Sequence, residues 1–207
     1  MFTGIITEVG SVAAVNGGEL EIQCGDTRES AKLGDSIAVN GVDLTVRKVS
    51  PEGLIFDVMP ETFRRSNLSM VKIGEKINLE PSVTIDTTLS GHIVRGVVET
   101  TCELISFVPE EDAVIATFSA DPEYLTFIAM KGPVCLDGAS LTVMNKTNTS
   151  FSVSLVQYTQ EHTNFMRKQK GARINLETDM MARYIHQLME PMIEELLDRR
   201  LRQREDD

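Results

Sequence analysis

The sequence predicts an all-β protein in which two homologous closed β-barrels follow one another and a C-terminal amphipathic α-helix completes the chain. Three observations predict this fold: an internal duplication, short segments in which apolar and polar residues alternate, and one final stretch with helical periodicity. The chain has 207 residues, 42% of them hydrophobic, which is enough for two small domains with separate cores.

The duplication is carried by one stretch that occurs twice. Residues 39–46 read VNGVDLTV and residues 136–143 read LDGASLTV, a separation of 97 residues (136 − 39). The same separation relates INLE at 77–80 to INLE at 174–177. An offset held without a gap over this distance indicates that a whole domain was duplicated, since solenoid repeats are much shorter.

The duplication predicts the domain boundaries. We expect a first barrel in residues 1–88, a second in residues 89–179 and the helix in residues 180–207. The opening MFTGII predicts a strand that begins at the first residue, and it has a weaker echo around Gly96, which lies 92 residues after Gly4. The copies therefore differ by an insertion of about five residues before the strong repeat begins.

Period-two alternation predicts the strands. Apolar residues on one face are Leu20, Ile22 and Cys24, then Ile37 and Val39, Leu54, Phe56 and Val58, Ile77 and Leu79, Val114, Ala116 and Phe118, Phe151, Val153 and Leu155, and Ile174 and Leu176. No helix of crossover length separates these runs, which favours a barrel over a parallel sheet. Residues 121–130 predict a short helix after an Asp-Pro start, whereas residues 61–68 and 159–166 fit either a helical turn or a loop.

The last stretch predicts one amphipathic helix. Its apolar stripe consists of Met181, Ile185, Leu188, Met192 and Leu196. Pro191 lacks a backbone donor and is expected to kink the helix. The stripe fits an oligomerisation helix, and the alternative is a helix that folds back on its own domain.

Composition excludes several classes of function. The net charge of −11 opposes nucleic-acid binding, which needs a positive surface, and a small ligand is easier to reconcile. The chain has no apolar run near 18 residues and no signal-peptide pattern, so we expect a cytoplasmic protein without membrane contact. Three widely spaced cysteines and three scattered histidines predict buried free thiols and no metal site.

The opening MFTGII, the paired segments NGVDLTV and DGASLTV, the duplication and the C-terminal helix together resemble riboflavin synthase, a family built from two lumazine-binding barrels. The resemblance covers essentially the whole chain. It implies six strands in a Greek-key-type arrangement in each barrel, a homotrimer joined by the C-terminal helices, and an active site between the first barrel of one subunit and the second barrel of a neighbour. It also admits an association with lumazine synthase.

The implied reaction is a transfer of a four-carbon unit between two molecules of 6,7-dimethyl-8-ribityllumazine. It yields riboflavin and 5-amino-6-ribitylamino-pyrimidinedione without an external cofactor. Two similar sites in one chain suit a reaction between two identical molecules, because each site can hold one of them in the same way.

The duplicated stretches supply the candidate substrate-binding residues. A flat heterocycle with a polyol tail needs backbone groups, hydroxyls and carboxylates in a mostly apolar pocket. One copy offers Gly4, Ile5 and Ile6 with Asp43, Leu44, Thr45, Glu61 and Thr62. The other offers Gly96, Val97 and Val98 with Lys131, Ser140, Leu141, Thr142, Tyr158 and Thr159.

Four residues are candidate catalytic groups. The resemblance implies that Ser140 activates or holds the water or hydroxyl that adds to one lumazine, and it places Lys131 and Asp179 near that serine. Lys131 would then stabilise a nascent lumazine anion and Asp179 would orient the hydroxyl. Asp43 either acts as a base on the donor molecule or hydrogen-bonds its ring.

The chain departs from the family at two positions. The family usually carries Cys where this chain has Asp43, and a Gly-His pair where it has Gly96 and Val97, although His92 keeps the preceding Gly-His. A lost imidazole costs about 10²- to 10⁴-fold in rate if it is a general acid or base. The alternative function is therefore a non-catalytic lumazine or flavin carrier of the same fold, which the C-terminal helix opposes. A nucleic-acid binder is opposed by the acidic balance.

Overall fold

The first barrel is a closed sheet of six antiparallel strands. The computed structural model describes residues 1–205, and for residues 194, 197, 198 and 201–205 the backbone alone. The strands are β1 (Glu8–Asn16), β2 (Glu19–Gln23), β3 (Ser36–Val39), β4 (Val42–Val49), β5 (Gly53–Asp57) and β6 (Lys76–Pro81). Their order around the barrel is β1-β2-β5-β4-β3-β6, with β6 pairing back to β1.

The second barrel repeats this topology strand for strand. Its strands are β7 (Thr100–Glu110), β8 (Ala113–Ser119), β9 (Pro133–Leu136), β10 (Ala139–Lys146), β11 (Ser150–Leu155) and β12 (Arg173–Glu177). Their order is β7-β8-β11-β10-β9-β12 and closes through the pairing of β12 with β7. Two closed six-stranded antiparallel barrels and a C-terminal helix confirm the predicted fold class. The boundaries at residues 88/89 and 179/180 stay predictions.

The helices are short, except for the last. They are α1 (Asp26–Ser30), α2 (Pro60–Arg65), α3 (Pro122–Leu125), α4 (Gln157–His162) and α5 (Met180–Glu205), with 3-10 turns at Asn67–Ser69 and Phe165–Arg167. The two segments that fitted either a turn or a loop are thus helical turns. The predicted short helix is confirmed as α3, capped by the Asp121 carboxylate, which accepts the backbone N–H of Glu123 at 3.0 Å. Helix α1 was not expected, because its polar sequence DTRES has no apolar periodicity.

The prediction of a strand beginning at the first residue is wrong. Strand β1 begins at Glu8, and the preceding residues form a separate extended segment. Gly4 has a φ of 78°, a left-handed conformation that ends a regular strand. Phe2 instead forms an isolated antiparallel bridge with Val94, with N–H···O distances of 2.7 and 3.0 Å.

Each barrel has its own core, as a duplicated domain should. Phe56 lies in the first core and is fully buried, while Phe118 and Phe151 stack in the second with ring centroids 5.6 Å apart. The three cysteines are buried free thiols, which confirms that expectation. Burial raises the pKa of the Cys24 thiol to about 11, so this thiol stays protonated at neutral pH.

The apolar stripe of α5 is exposed. The exposed fractions of Met181, Ile185, Leu188, Met192 and Leu196 are 58, 52, 71, 63 and 59%. The first turns of the helix contact the second barrel, where the Arg183 guanidinium lies 5.2 Å from the centroid of the Phe127 ring. The alternative in which the stripe folds back on its own domain is therefore wrong.

Among the helices described within residues 1–205, none is long and apolar enough to cross a membrane.

A buried polar network joins the barrels where equivalent residues of the two copies meet. Gly41 packs directly on Gly138, so the barrels are related by an approximate two-fold axis. The network consists of three equivalent pairs: Asn40 and Asp137, Asn67 and Asn164, and Asn78 and Asn175. Most of its hydrogen bonds have a counterpart in the other copy, which explains why these positions kept the 97-residue offset.

Asp137 is the one place where this symmetry fails. Within residues 1–205, its Oδ2 atom and the Oδ1 atom of Asn164 are buried without a hydrogen-bond partner. At the equivalent place Asn40 donates its amide to Asn67 Oδ1 across 3.5 Å. Burial raises the pKa of Asp137 to about 6, and the ammonium of Lys168, 3.8 Å away, opposes that rise.

We therefore expect Asp137→Asn to stabilise the protein at neutral pH. A raised pKa in the folded state means that Asp137 stabilises the fold below pH 3.8, and this contribution is lost as the pH rises through about 6. An amide stays neutral and can donate to Asn164. Urea titration measures the difference in free energy of unfolding between the variant and the parent. This stabilisation by Asp137→Asn should be about 1 to 3 kcal/mol larger at pH 7.5 than at pH 4.

The reverse exchange is the matched control. Asn40→Asp places a second carboxylate at the equivalent buried position, where Val71 stands in place of Lys168. It should destabilise the protein at pH 7.5 and much less at pH 4. A difference in unfolding free energy between Asp137→Asn and the parent that does not change with pH would contradict the idea that ionisation of this buried carboxyl destabilises the fold.

Candidate functional site

Two segments cross from one barrel to the other at the candidate site. Ser140 on β10 donates its backbone N–H to the carbonyl of Gly4 at 2.8 Å, and Asp43 on β4 donates its own to the carbonyl of Gly96 at 2.9 Å. Residues near Gly4 precede the first barrel in sequence but lie against the second, and residues near Gly96 lie against the first. The bridge between Phe2 and the residues before Gly96 holds the two crossing segments together.

Glycine is required at both crossings. Gly4 and Gly96 each have a φ of 78°, a backbone conformation that residues other than glycine rarely adopt. A Cβ atom on Gly4 would lie 2.5 Å from Cβ of Ser140, and one on Gly96 would lie 2.6 Å from Cβ of Asp43. The backbone therefore packs directly on the two residues that differ most between the duplicated stretches.

This crossing corrects the predicted grouping of the candidate residues. The sequence predicted that Gly4, Ile5 and Ile6 accompany Asp43, and that Gly96, Val97 and Val98 accompany Ser140. The grouping is wrong, since each segment reaches the other barrel. The physical reason is that a left-handed glycine and the Phe2 bridge carry each segment past its own barrel, a long-range pairing that no local pattern records.

The first site is a pocket of about 420 Å³ on the first barrel. It brings together seven of the predicted residues: Asp43, Thr45, Glu61, Thr62, Gly96, Val97 and Val98. Val97 is 52% exposed and presents an apolar surface beside the Asp43 carboxylate. A polar rim and apolar patches in one cavity suit a flat heterocycle with a polyol tail.

Helix α2 supplies the charged wall of this pocket. Glu61 pairs with Arg65 at 2.9 Å and also with Arg64, and these two guanidinium groups hold the pKa of the Glu61 carboxyl below its usual range. Arg65 also lines the pocket and was not among the predicted site residues. The sequence signal that could have found it is the spacing of four residues from Glu61 on a short helix.

The second site contains a serine paired with a histidine. Ser140 Oγ lies 2.6 Å from Nδ1 of His92, whose backbone N–H donates to the carbonyl of Thr3 at 3.2 Å. Burial lowers the pKa of His92, and the nearby carboxylate of Asp179 opposes that shift. A lowered pKa favours the neutral imidazole, which can accept a proton.

The other candidates of the second site are placed less closely. Asp179 accepts the backbone N–H of Met181 at 2.9 Å and so caps the N-terminus of α5. Its negative charge also raises the pKa of His92, against the effect of burial. Lys131 is exposed before β9, and within residues 1–205 its side chain makes no hydrogen bond or ion pair with the other candidates. Tyr158 stacks on His162 with ring centroids 4.0 Å apart, where the first site has the pair Glu61 and Arg65.

Three predicted residues have side chains that are buried in the barrel cores. Leu44 lies in the core of the first barrel, and Leu141 and Ile6 lie in the core of the second. They can face a ligand through the backbone alone. Ile5, Thr142 and Thr159 are at least partly exposed.

The chain matches known proteins over nearly its whole length. Residues 3–82 and 95–179 each match the family model of the lumazine binding domain. The chain is 39% identical to a riboflavin synthase of Mycobacterium tuberculosis (strain ATCC 25618 / H37Rv), with 91% of this chain and 98% of that protein covered. It is 35% identical to a riboflavin synthase of Bacillus subtilis (strain 168), with 91% and 90% covered. This chain belongs to the riboflavin synthase family.

Solved structures share the fold of this riboflavin synthase family member. LumP complexed with riboflavin superposes with a TM-score of 0.80 at 22% identity, covering 86% of this chain and 99% of that one. LumP complexed with 6,7-dimethyl-8-(1'-D-ribityl) lumazine superposes with a TM-score of 0.78 at 21% identity and the same coverage. These superpositions show that the two-barrel fold of this chain also occurs in solved structures.

His92, like Arg65, lies at a candidate site but was not among the predicted site residues. Within the riboflavin synthase pattern it is the His of the preceding Gly-His pair, but its partner Ser140 lies 48 residues away. The duplication does not reveal it either, because the 92-residue offset of the opening segments would place its counterpart before Met1. The contact with Ser140 in the folded chain identifies it.

Proposed function

We propose that this protein is a riboflavin synthase that transfers a four-carbon unit between two molecules of 6,7-dimethyl-8-ribityllumazine, a transferase that needs no external cofactor. The observation that carries the proposal is the pair of equivalent but chemically unequal sites, one built around Asp43 and the other around Ser140 with His92. A dismutation needs one molecule as donor and one as acceptor, so equal folds with unequal side chains suit it.

The second site is equipped to activate a hydroxyl. A neutral His92 takes the proton from Ser140, or from a water bound to it, as that oxygen adds to one lumazine. The carboxylate of Asp179 stabilises the imidazolium that forms. Lys131 stabilises the lumazine anion once the bound molecule brings the flexible side chain inward.

The first site is equipped to remove a proton from the other lumazine. The Asp43 carboxylate stands at the pocket wall where the family usually carries Cys, and Val97 occupies the place of the second family His. The pocket lining contains two carboxylates, Asp43 and Glu61, and Glu61 is paired with Arg64 and Arg65. With the imidazole absent, we therefore assign the role of base to Asp43. Glu61 and the threonines of the pocket hold the polyol tail, to which they offer acceptors and hydroxyls.

The same proposal includes the assembly. The exposed stripe of α5 supports a homotrimer in which a first barrel of one subunit faces a second barrel of its neighbour. A cytoplasmic location and an association with lumazine synthase complete the proposal.

The decisive experiment is turnover of purified lumazine. The folded protein, given 6,7-dimethyl-8-ribityllumazine and no cofactor, should form riboflavin and the pyrimidinedione in equal amounts, followed by absorbance and chromatography. A folded protein that binds lumazine but forms no riboflavin over hours would instead be the non-catalytic carrier.

Asp43→Asn tests the role of this carboxylate. The amide keeps the shape and the hydrogen bonds of the side chain but cannot take a proton, so kcat should fall about 10²-fold while lumazine affinity changes less than about threefold. Thr45→Val, which removes a hydroxyl from the same pocket, is the control and should weaken binding more than turnover. Equal effects of Asp43→Asn on kcat and affinity would show that Asp43 only binds the ring.

A further inference from the structure

Two buried carboxylates hold the crossing segments, and the proposed chemistry does not use them. Glu80 lies on β6 and Glu177 on β12, at equivalent positions 97 residues apart (177 − 80), and their exposed fractions are 3% and 5%. A carboxylate is buried at a high cost unless hydrogen bonds satisfy it. The partners of these two are backbone groups of the segments that enter the sites.

Glu80 holds the N-terminal segment by three hydrogen bonds. Thr3 donates its backbone N–H and its hydroxyl to Oε1, both at 2.7 Å, and Gly4 donates its N–H to Oε2 at 3.0 Å. The carbonyl of Gly4 then accepts the backbone N–H of Ser140 at 2.8 Å. A carboxylate of the first barrel thus fixes the backbone that Ser140 of the second barrel packs on.

Glu177 makes the equivalent arrangement in the opposite direction. Its Oε1 accepts the N–H of Arg95 at 2.7 Å and its Oε2 accepts that of Val97 at 2.9 Å. Between them, the carbonyl of Gly96 accepts the backbone N–H of Asp43 at 2.9 Å. A carboxylate of the second barrel thus fixes the Val97 wall of the pocket in the first barrel.

The packing transmits any displacement of these segments. Gly4 and Gly96 touch Ser140 and Asp43 with no room for even a methyl group, so a shift of either segment moves the side chain beyond it. Burial raises the pKa of Glu80, and the backbone donors oppose that rise because they stabilise the ionised form. An acceptor-only group with two oxygens is what two converging N–H groups require.

We propose that Glu80 and Glu177 are positioning residues that act crosswise, Glu80 of the first barrel on the Ser140 site and Glu177 of the second barrel on the Asp43 site. The inference rests on the proposed function for its effect on turnover, but its effect on ligand binding is independent of turnover. Each barrel thus supplies the carboxylate that positions the site of the other barrel.

Double-mutant cycles test the crosswise relation. Glu80→Gln and Glu177→Gln keep the side-chain shape but turn an amide donor toward a backbone N–H, so one hydrogen bond is lost. Each is combined with Ser140→Ala and with Asp43→Ala, and kcat, KM and the affinity for 6,7-dimethyl-8-ribityllumazine are measured. We expect non-additivity of about threefold or more between Glu80→Gln and Ser140→Ala and between Glu177→Gln and Asp43→Ala, and additivity in the other two combinations.

Glu8→Gln is the matched control. Glu8 also binds two backbone N–H groups, those of Gly25 at 2.6 Å and Thr27 at 2.7 Å, but lies outside both sites. It should change thermal stability without changing kcat or affinity. If Glu80→Gln does not fold, Thr3→Val removes one donor to Glu80 and should show the same coupling to Ser140→Ala.

The outcomes separate this inference from the proposed function. If the parent protein binds lumazine but does not turn it over, the crosswise pattern in affinity still supports the positioning role and only the enzyme proposal fails. Coupling of Glu80 with Asp43, additivity in all four combinations, or a loss of kcat in Glu8→Gln as large as in Glu80→Gln would each overturn the positioning role.

Discussion

Replacing Ser140 with Ala should lower kcat by about 10²- to 10⁴-fold and leave the affinity for lumazine within about threefold of the parent value. The reason is the 2.6 Å contact between Ser140 Oγ and Nδ1 of His92, which activates a hydroxyl in the proposed reaction. A hydroxyl contributes little apolar contact to binding. Steady-state kinetics and a fluorescence titration with lumazine measure the two quantities separately.

A second substitution shows whether the pair acts as a unit. His92→Gln should lower kcat by a similar factor, and the double variant should be no slower than the worse single variant, because either change alone removes the proton transfer. Thr142→Val on the same strand removes a hydroxyl without a histidine partner and should leave kcat within a few-fold. Multiplied effects in the double variant would contradict a proton transfer between these two residues.

The local pattern of the sequence is sufficient for the barrels. Alternation at Leu20 and Ile22, or at Val153 and Leu155, places one face of each strand in a core, and the fully buried side chains follow that face. The duplication adds the equivalence of the copies, which the matching strand orders confirm. Local periodicity and turn residues therefore suffice wherever a residue's partner lies on the adjacent strand.

The sites depend on contacts that local patterns do not contain. Gly4 lies beside Ser140 and Gly96 beside Asp43 because each opening segment crosses to the other barrel, so grouping residues by copy paired them wrongly. His92 was not predicted for a related reason, because its partner Ser140 lies 48 residues away along the chain. The left-handed φ at both glycines is the physical cause of the crossing, and a sequence shows only that glycine is present.

Replacing Leu188 with Glu should convert the proposed trimer into monomers. Leu188 is 71% exposed at the centre of the stripe between Met181 and Leu196, and a carboxylate at that point cannot be buried between helices without a partner. Sedimentation should give three chains for the parent and one for the variant. Deletion of residues 181–207 should have the same effect.

Loss of the trimer should abolish most of the turnover, because the proposed active site needs a first barrel and a second barrel from different subunits. We expect kcat/KM to fall at least about 10²-fold in Leu188→Glu, since two lumazines are no longer held against each other. Circular dichroism should show both barrels still folded, as their cores lie within each copy.

The matched control for the charge is Gln187→Glu. It adds the same carboxylate one residue away, which at about 100° per residue lies off the stripe. The trimer and the turnover should survive this change. A parent protein that sediments as a monomer and still forms riboflavin would contradict the shared site, and the two barrels of one chain would then have to hold both molecules between the crossing segments.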